Sequence, residues 1–524
     1  MSAKTRYDVL SSDRSQFLNE AEQASKLTLP YLIRGHEEHS SGMKNLLTPY
    51  QSVGAKGVVT LASKLMLALL PVQTSFFKLQ LDESQLGQEM GPEIKSELDL
   101  SFAKVERIIL ESIAATDDRV AVHQALLHLV VGGNALVFMG TKGLKVYPLN
   151  RFVVDRDGNG NVIEIVTKER INKKLIEDKL PEDYLKTLPV SDTYGDHDDE
   201  CDVYTHVRRE NNRFVWHQEV YDYKLKGTEG KAPVATNPWI ALRFNTVDGE
   251  SYGRGRVGQF IGDLKSLEAL TQALVEGSAA AAKVVFVVNP SSTTKPATLA
   301  NAGNGAIIQG RPDDVAVIQV GKTADFGTAY QMTSVLERRL SEAFLILNVR
   351  QSERTTAEEV RMTQMELEQQ LGGLFSLLTV EFLVPYLNRK LDQAQKSGDI
   401  PRLPKNIVKP TIVAGINALG RGQDRDSLTQ FLTVLAQTLG PEAIAQFINT
   451  DEVIKRFAAS QGIDVLNLVK SMQELQAEQQ QALAQQQEMM AQQQAPQMAA
   501  VEQKAVQAEM QAMQQAQQQE QPPQ

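Results

Sequence analysis

Residues 348–373, NVRQSERTTAEEVRMTQMELEQQLGG, are the stretch around which the predicted fold is arranged. The part up to Arg354 is polar and shows no secondary-structure period. A Thr-Thr pair is then followed three residues later by a Glu-Glu pair (355–359), which is the capping-box pattern that starts a helix. Because 332–347 also has helical spacing, the stretch predicts a loop held between two helices.

Two arginines, Arg350 and Arg354, lie in this predicted loop. One interpretation is a basic loop that contacts an anionic partner. The alternative is an ordinary connection whose arginines pair with nearby glutamates or are simply solvated, as charged loops usually are. Downstream, Gly372 and Gly373 can interrupt or kink the second helix, so they are candidate hinge residues.

Composition restricts the class of protein. A chain of 524 residues can hold two to four domains and a large core. The formal net charge of -10 argues against tight nucleic-acid binding through a basic surface, but it allows weak, sliding contact with DNA. The single cysteine, Cys201, excludes an internal disulfide and cysteine-rich zinc sites and fits a reducing compartment.

Neither a signal peptide nor a membrane span is expected. The first residues, MSAKTRYDVLSSDRSQF, contain no apolar core. The longest apolar run, 58–72, contains Lys64 and is shorter than a spanning helix requires. We therefore expect a soluble protein made inside a cell, with no membrane partner.

Periodicity along the chain predicts a mixed α+β fold that is mainly helical. Residues 10–45 are polar and helical in character. Further helices are predicted at 54–70, 93–115, 120–131, 260–282, 374–395 and 426–439. Short strands are predicted at 135–139, 144–148, 152–154, 162–166, 202–206, 213–223, 239–244, 283–288, 315–320 and 407–413.

Several motifs that resemble catalytic or metal sites have better structural explanations. His36-Glu-Glu-His39 lacks the zinc-protease spacing, and the run 155–160 lacks the last glutamate of a calcium loop, so a hairpin turn is favoured there. The acidic run 196–201 has no ordered ligand spacing. Gly253, Gly255 and Gly258 satisfy GxGxxG, but no parallel βαβ pattern surrounds them. No cofactor and no metal are expected.

Residues 471–524 are dominated by Gln, Ala and Met. These residues form helices readily, but the segment has no continuous stripe of large apolar side chains. It is either a loose helix that orders against other copies or a largely disordered tail. This tail leaves open the alternative of a filamentous scaffold protein, while the glycine triplet leaves open a nucleotide-binding enzyme.

A set of stretches, considered together, resembles the portal (head-to-tail connector) proteins of T7-like short-tailed bacteriophages. The matching stretches are QSVGAKGVVTLASKLMLALLPVQT (51–74), HLVVGGNALVF (128–138), YPLNRFVVDRDGNGNV (147–162), DVYTH (202–206), DGESYGRG (248–255), GDLKSLEAL (262–270), TAEEVR (356–361) and INALGRGQD (416–424). Their order and spacing span about residues 50 to 425. Residues 170–200 and the glutamine-rich tail match poorly.

The resemblance implies a closed ring of identical subunits, usually twelve, around an axial channel for double-stranded DNA. The implied regions are an N-terminal wing and stem part (1–164), a clip (165–245), a stem helix (246–285), a wing with channel loop 348–354 and a long kinked helix (286–400), a crown (401–470) and the tail (471–524). Such a protein is not an enzyme. It is part of the virion, at the capsid portal vertex, and is assembled in the host cytoplasm.

The resemblance also implies partners and site residues. Arg354, and after it Arg350, would contact DNA in the channel, with Gly372 and Gly373 as the hinge. The packaging motor (the terminase large subunit) and later the tail adaptor and tail tube proteins would dock at the clip, where Asp198, Asp199 and Glu200 are the candidate contacts. A scaffolding protein, the major capsid protein and internal core proteins complete the implied partners.

Overall fold

The computed structural model describes most of the first 400 residues and parts of the remainder. The described residues are 1–34, 47–71, 75–81, 92–141, 143–180, 200–220, 222–281, 285–303, 305–318, 323–346, 372–401, 408–412, 421–439, 448, 453 and 505–513. The chain divides into two compact units, Met1–Gly420 and Arg421–Gln524.

Helices and strands are both present in the first unit, as the mixed fold class predicts. The helices that receive a label, all within the described residues, are α1 (Ala3–Lys26), α2 (Val53–Leu69), α3 (Pro92–Ala114), α4 (Asp118–Gly132), α5 (Arg256–Gln259), α6 (Ile261–Ala281), α7 (Pro296–Ala300), α8 (Thr323–Ala343), α9 (Val384–Ser397) and α10 (Arg421–Leu439). The strands are β1 (Phe77–Leu81), β2 (Asn134–Met139), β3 (Leu144–Tyr147), β4 (Phe152–Arg156), β5 (Val162–Asn172), β6 (Glu200–Glu210), β7 (Arg213–Val220), β8 (Tyr223–Lys224), β9 (Gly230–Pro233), β10 (Trp239–Arg243), β11 (Val285–Val288), β12 (Val315–Ile318) and β13 (Val408–Ile412).

Helix α1 has a buried face, although its sequence is polar. Its buried positions recur at helical spacing and include Tyr7, Leu10, Arg14 and Leu18. Arg14 finds acceptors inside the protein, because its Nη1 donates to the Tyr7 hydroxyl at 2.9 Å and to the carbonyl of Phe152 at 2.9 Å. The polar segment of helical character predicted from residue 10 is therefore part of a packed helix that begins at Ala3, and residues 35–46 lie outside the described part.

The centre of the first unit is built from helices α2 and α4. Small residues allow close packing here: a Cβ added at Gly57 would lie 2.6 Å from the ring of Phe344. Helix α4 ends where Gly133 adopts a left-handed conformation (φ +74°), which supports the prediction that the glycine pair terminates it. Both helices contribute to one large apolar core that also contains Leu136, Trp239 and Phe382.

A six-stranded sheet lies beside this core, in the order β4-β5-β6-β7-β8 with β9 paired to β7. The predicted hairpin at 155–160 is confirmed, since β4 and β5 pair antiparallel around a turn in which Asp157 accepts from the backbone of Asn159 and Asn161. The predicted boundary between 164 and 165 falls inside β5. Strand β10, at the end of the predicted clip, belongs to the main core, so the regions 1–164 and 165–245 share one core.

Two smaller sheets join parts of the chain that are far apart in sequence. The three-stranded sheet has the order β10-β2-β3, with Trp239 opposite Phe138 and Arg243 opposite Asn134. Strand β1 pairs antiparallel with β13, and Phe77 lies opposite Ile412. This second pairing closes the first unit by bringing its C-terminal strand back to an early one.

The helix predicted at 374–395 is divided by an irregular turn. Residues 372–378 are α-helical, Thr379–Leu383 form a π-helix, and α9 then continues to Ser397. Asp118, at the start of α4, is fully buried and accepts from the Tyr386 hydroxyl at 2.7 Å, while Lys390 lies 2.6 Å from it. These contacts attach α9 to the core.

In the second unit the described helices are α10 and a short helical run at 505–513. The predicted helix at 426–439 is confirmed and begins earlier, at Arg421. Most of the glutamine-rich tail lies outside the described residues.

Candidate functional site

The structure describes some of the predicted site residues and leaves others out. Arg350, Arg354, Asp198 and Asp199 lie outside the described residues. Glu200 is the first residue of β6, and Gly372 and Gly373 begin the described helical run 372–378. The channel loop and most of the acidic segment therefore remain predictions.

Glu200 lies at the edge of a charged cluster that crosses β5 and β6. Its carboxylate is 3.9 Å from Arg170 Nε, and that guanidinium is equally far from Asp202. Lys168 forms a closer ion pair with Asp202, at 2.9 Å. Because Glu200 has a cationic neighbour within the sheet, its charge is less available to a partner than its place in the sequence suggests.

The two glycines proposed as a hinge have helical backbone where they are described. Nothing lies within 4 Å of a Cβ added at Gly373, and the Ser376 hydroxyl donates to the carbonyl of Gly372 at 3.0 Å. The irregular turn that the structure describes in this helix is the π-helix at Thr379–Leu383. Short π-helical turns inside α-helices are frequently found at functional sites.

Helices α6 and α8 form a pair whose base lies in the core. Leu264 and Leu267 of α6 and Leu340 of α8 are fully buried. Farther along, the helices approach closely, because a Cβ at Gly277 would lie 2.6 Å from the ring of Phe326. Helix α8 packs along α6, because the glycine leaves room for the aromatic ring.

The outer part of this helix pair exposes large apolar side chains. Val275 is 51% exposed on α6, and Tyr330, Met332 and Val335 are 68%, 54% and 58% exposed on α8. Single exposed apolar residues are normal on a protein. Several on one helix pair indicate a surface that contacts another protein. We call these four residues the apolar stem surface.

Strands β11 and β12 form a separate two-stranded antiparallel sheet between α6 and α8 in the chain. Phe286 and Val287 are 56% and 44% exposed, and Ile307, in the connection between the strands, is fully exposed. None of these three residues belongs to the large core. The sheet is therefore an exposed apolar feature in the segment that connects α6 to α8.

Two glycines of the GxGxxG motif, Gly253 and Gly255, are used for packing between backbone segments. Asn134 bonds Gly253 twice, through its side-chain oxygen and nitrogen at 2.7 Å each. A Cβ at Gly255 would lie 2.5 Å from the carbonyl oxygen of Val131. The upstream strand, β10, pairs antiparallel with β2, so the parallel strands of a dinucleotide site do not surround the motif.

A cavity of about 250 Å³ adjoins this motif. Its lining is largely apolar and includes Phe17, Ala21 and Val131. The guanidinium of Arg254 faces a carboxylate, with Nη2 2.6 Å from Glu250. A cationic group that is already paired does not suit phosphate recognition, so the geometry favours the structural interpretation of the motif.

Two buried histidine–glutamate pairs lie on the six-stranded sheet. Glu164 bonds His206, and Glu219 bonds His217 at 2.7 Å while accepting the backbone N–H of Ala3 at 2.6 Å. Burial alone would raise the pKa of both carboxyls, but hydrogen bonds from the histidines and from α1 hold each pKa below its ordinary value. Stability from these contacts is present at neutral pH and is lost as the pH falls through the lowered pKa values.

In the part of the chain that the structure describes, no three or more His, Cys, Asp or Glu side chains are grouped so that they could hold a metal ion. Among those same residues, no helix combines the length and apolar character needed to cross a bilayer.

Comparison with known proteins agrees with the resemblance noted in the sequence. Residues 1–466 match the family described as bacteriophage head to tail connecting protein. The chain is 38% identical to the portal protein of Enterobacteria phage T3 over 485 residues, covering 91% of this chain and 89% of that protein. It is 36% identical to the portal protein of Escherichia phage T7 over 490 residues, covering 91% and 90%.

One solved structure, the neck of an empty gene transfer agent particle, also aligns with the chain. The alignment covers 78% of this chain and 90% of that one, at 10% identity and a TM-score of 0.39. The family of this chain is therefore assigned from the sequence relatives and not from this structural alignment.

Proposed function

This chain belongs to the bacteriophage head-to-tail connecting protein family, with the portal proteins of T7-like phages, and from that membership we propose that it forms a closed ring at one capsid vertex. Double-stranded DNA would pass through the centre of the ring into the head during packaging and out during ejection. The ring would connect the head to the tail, as the family description indicates.

The observation that supports ring assembly most directly is the apolar stem surface. Its four residues are exposed on a helix pair whose base is fixed in the core. Contact with a neighbouring copy would remove this area from water, at roughly 25 cal/mol per Å². A head-to-tail contact closes into a ring when its rotation returns to the first copy, and otherwise it gives an open helical filament.

Ring assembly is tested by the mass and shape of the purified protein. We expect native mass spectrometry to give one large multiple of the 57.9 kDa subunit, and negative-stain images to show rings with an open centre. Removing residues 471–524 should leave these rings intact. Monomers at micromolar concentration would contradict the ring, and a requirement for the tail would favour a filamentous scaffold.

We further propose that Arg354, assisted by Arg350, contacts the DNA in the channel. The net charge of -10 disfavours a tight grip on DNA, whereas one arginine per copy would form a belt of guanidinium groups around the duplex. A guanidinium can donate two hydrogen bonds to one phosphate. Each solvated contact contributes about 1 kcal/mol or less, so DNA could still slide.

Arg354→Ala is expected to give normal rings and normal DNA entry, followed by filled heads that lose their genome. The measurement is the fraction of nuclease-resistant DNA retained over time after packaging. Arg107→Ala is a matched control, since it removes the same charge from an exposed side chain already paired with Glu111 at 2.9 Å. Equal retention in both variants and the parent would rule out the DNA contact.

Gly372 and Gly373 are proposed to let the channel loop move relative to α9. Alanine at both positions would stiffen the helical backbone, since glycine is the more flexible residue. In the same packaging assay, the double alanine variant should package more slowly while its rings remain normal. An unchanged rate would place the hinge elsewhere.

The packaging motor, and later the tail, are proposed to dock on the acidic segment Asp198–Glu200. Because Glu200 has Arg170 as a neighbour in the sheet, the sharper test changes only Asp198 and Asp199 to lysine. This reversal should weaken binding of the motor to purified rings, measured by co-sedimentation, without dissociating the rings. Lysine at Glu177 and Asp178, which are exposed in a turn of the same region, is the matched control. Equal binding by both double variants would exclude this site.

A further inference from the structure

We propose that strand β11 of one copy pairs with strand β12 of the next copy, so that the hairpins of all copies form one continuous antiparallel sheet around the ring. The inference rests on the ring proposed above and specifies which backbone groups join neighbouring copies. It concerns the four-residue strands Val285–Val288 and Val315–Ile318.

The register of the hairpin shows which amides point away from it. Val288 lies opposite Val315, and just beyond this pair the Asn289 amide donates to the carbonyl of Asp314 at 2.9 Å. Bonded and non-bonded pairs alternate in antiparallel sheets. The pairs 287/316 and 285/318 are therefore bonded within the hairpin, whereas 286/317 and 288/315 direct their N–H and C=O groups outward.

Both outer edges lack a partner in the structure that is described here. The sheet contains β11 and β12 and no third described strand. A two-stranded sheet alone is marginally stable in water, and an open edge is a template for another strand. Proteins that keep such edges free protect them with charged residues or proline. The sequences VFVV and VAVI contain neither.

A second copy of this chain fits these edges for two reasons. The strands have equal length and run antiparallel, so β12 of one hairpin placed beside β11 of the next continues the same antiparallel pattern. The strands also follow α6 and precede α8, whose apolar stem surface is the proposed contact between copies. The exposed side chains of Phe286 and Val287 would then lie against neighbouring hairpins.

Closure of the sheet is geometrically consistent with a channel. Twelve copies, the number implied by the family resemblance, would contribute 24 strands. At about 4.8 Å between strands, the circumference is about 115 Å and the diameter about 37 Å, before strand tilt widens it. A sheet closed in this way has no free edge, which removes the hazard of aggregation that the isolated hairpin carries.

The first test measures hydrogen exchange at single amides in assembled rings. We expect the outward amides of residues 286, 288, 315 and 317 to exchange as slowly as the inward amides of 287 and 316, at least about tenfold slower than unprotected amides. The inward amides are an internal control for the hairpin itself. If electron microscopy shows rings but only the inward amides are protected, the pairing of strands between copies is wrong, while the proposed ring assembly still stands. Absence of rings would instead contradict the proposed function.

The second test uses cysteine cross-linking between different copies. Chains carrying Val317→Cys are assembled together with chains carrying either Phe286→Cys or Val288→Cys and are then oxidised. The native Cys201 is buried, which keeps the background low. A disulfide-linked dimer is expected in at least one mixture and in neither single-variant ring. No dimer in either mixture would contradict the pairing between copies, and outward amides protected only after the motor or tail is added would show that another protein covers these edges.

Discussion

Replacing Glu381 by alanine is expected to lower the free energy of unfolding by about 3 to 5 kcal/mol, because it leaves two buried guanidinium groups without their carboxylate. Glu381 lies in the π-helix and is 12% exposed. It accepts from the backbone amide, Nε and Nη2 of Arg243, at 2.9, 2.9 and 2.6 Å. Arg156 Nη1 is 3.8 Å away.

Arg156 makes the loss of Glu381 more costly. The pKa of Arg156 is lowered to about 10, mainly by burial; Glu381 opposes this change and Arg243 adds to it. Without Glu381, the two like charges face each other in a buried site. The destabilisation can be measured by urea unfolding followed by tryptophan fluorescence, to which Trp239, on the same strand as Arg243, contributes.

Two variants define the controls for Glu381. Val380→Ala changes the neighbouring residue of the π-helix, whose side chain is 69% exposed, and should alter stability by less than about 0.5 kcal/mol. Glu381→Gln keeps an acceptor and should be intermediate. A loss below about 1 kcal/mol for Glu381→Ala would mean that these ion pairs behave as solvated surface pairs.

Gly255→Ala is expected to destabilise the protein by about 1 to 3 kcal/mol, because the added methyl group collides with backbone atoms that cannot rotate away. Its Cβ would lie 2.5 Å from the Val131 carbonyl oxygen and 2.9 Å from the Gly133 amide nitrogen. Gly258→Ala is the matched control within the same motif, since nothing lies within 4 Å of the added atom. Thermal unfolding of the two variants separates the steric effect from the general effect of removing a glycine.

This comparison also distinguishes the two interpretations of GxGxxG. If the glycines serve backbone packing, Gly255→Ala lowers the unfolding temperature and Gly258→Ala leaves it unchanged or slightly raised. If they served a nucleotide, both variants would weaken nucleotide binding while the fold persisted. Equal unfolding temperatures for the two variants and the parent would contradict the packing role of Gly255.

Local sequence patterns predicted where the helices and strands lie better than they predicted which of these elements contact each other. The amphipathic run after Gly54 gives α2, and the alternating strands around Asp157 give the β4–β5 hairpin, because each pattern depends on residues close in sequence. The pairing of β1 with β13 involves strands more than 300 residues apart, and no local periodicity encodes it.

Charged residues in the core were the main features that sequence patterns missed. Arg14 and Glu381 both occur in helical segments where a charge usually faces solvent. Their burial depends on distant acceptors and donors, the carbonyl of Phe152 for Arg14 and the guanidinium of Arg243 for Glu381. The π-helix likewise has no spacing signal, since it adds one residue to a turn whose neighbours are regular.

The pairing of β1 with β13 sets an order in time for synthesis of the chain. Strand β1 ends at Leu81, but its partner is complete only at Ile412. At about 5 to 20 residues per second, the ribosome needs roughly 20 seconds to one minute to supply that partner. During this interval β1 is without its partner strand, so the first unit cannot be completed before most of the chain has been made. Newly made subunits would therefore join a ring after translation, as finished molecules.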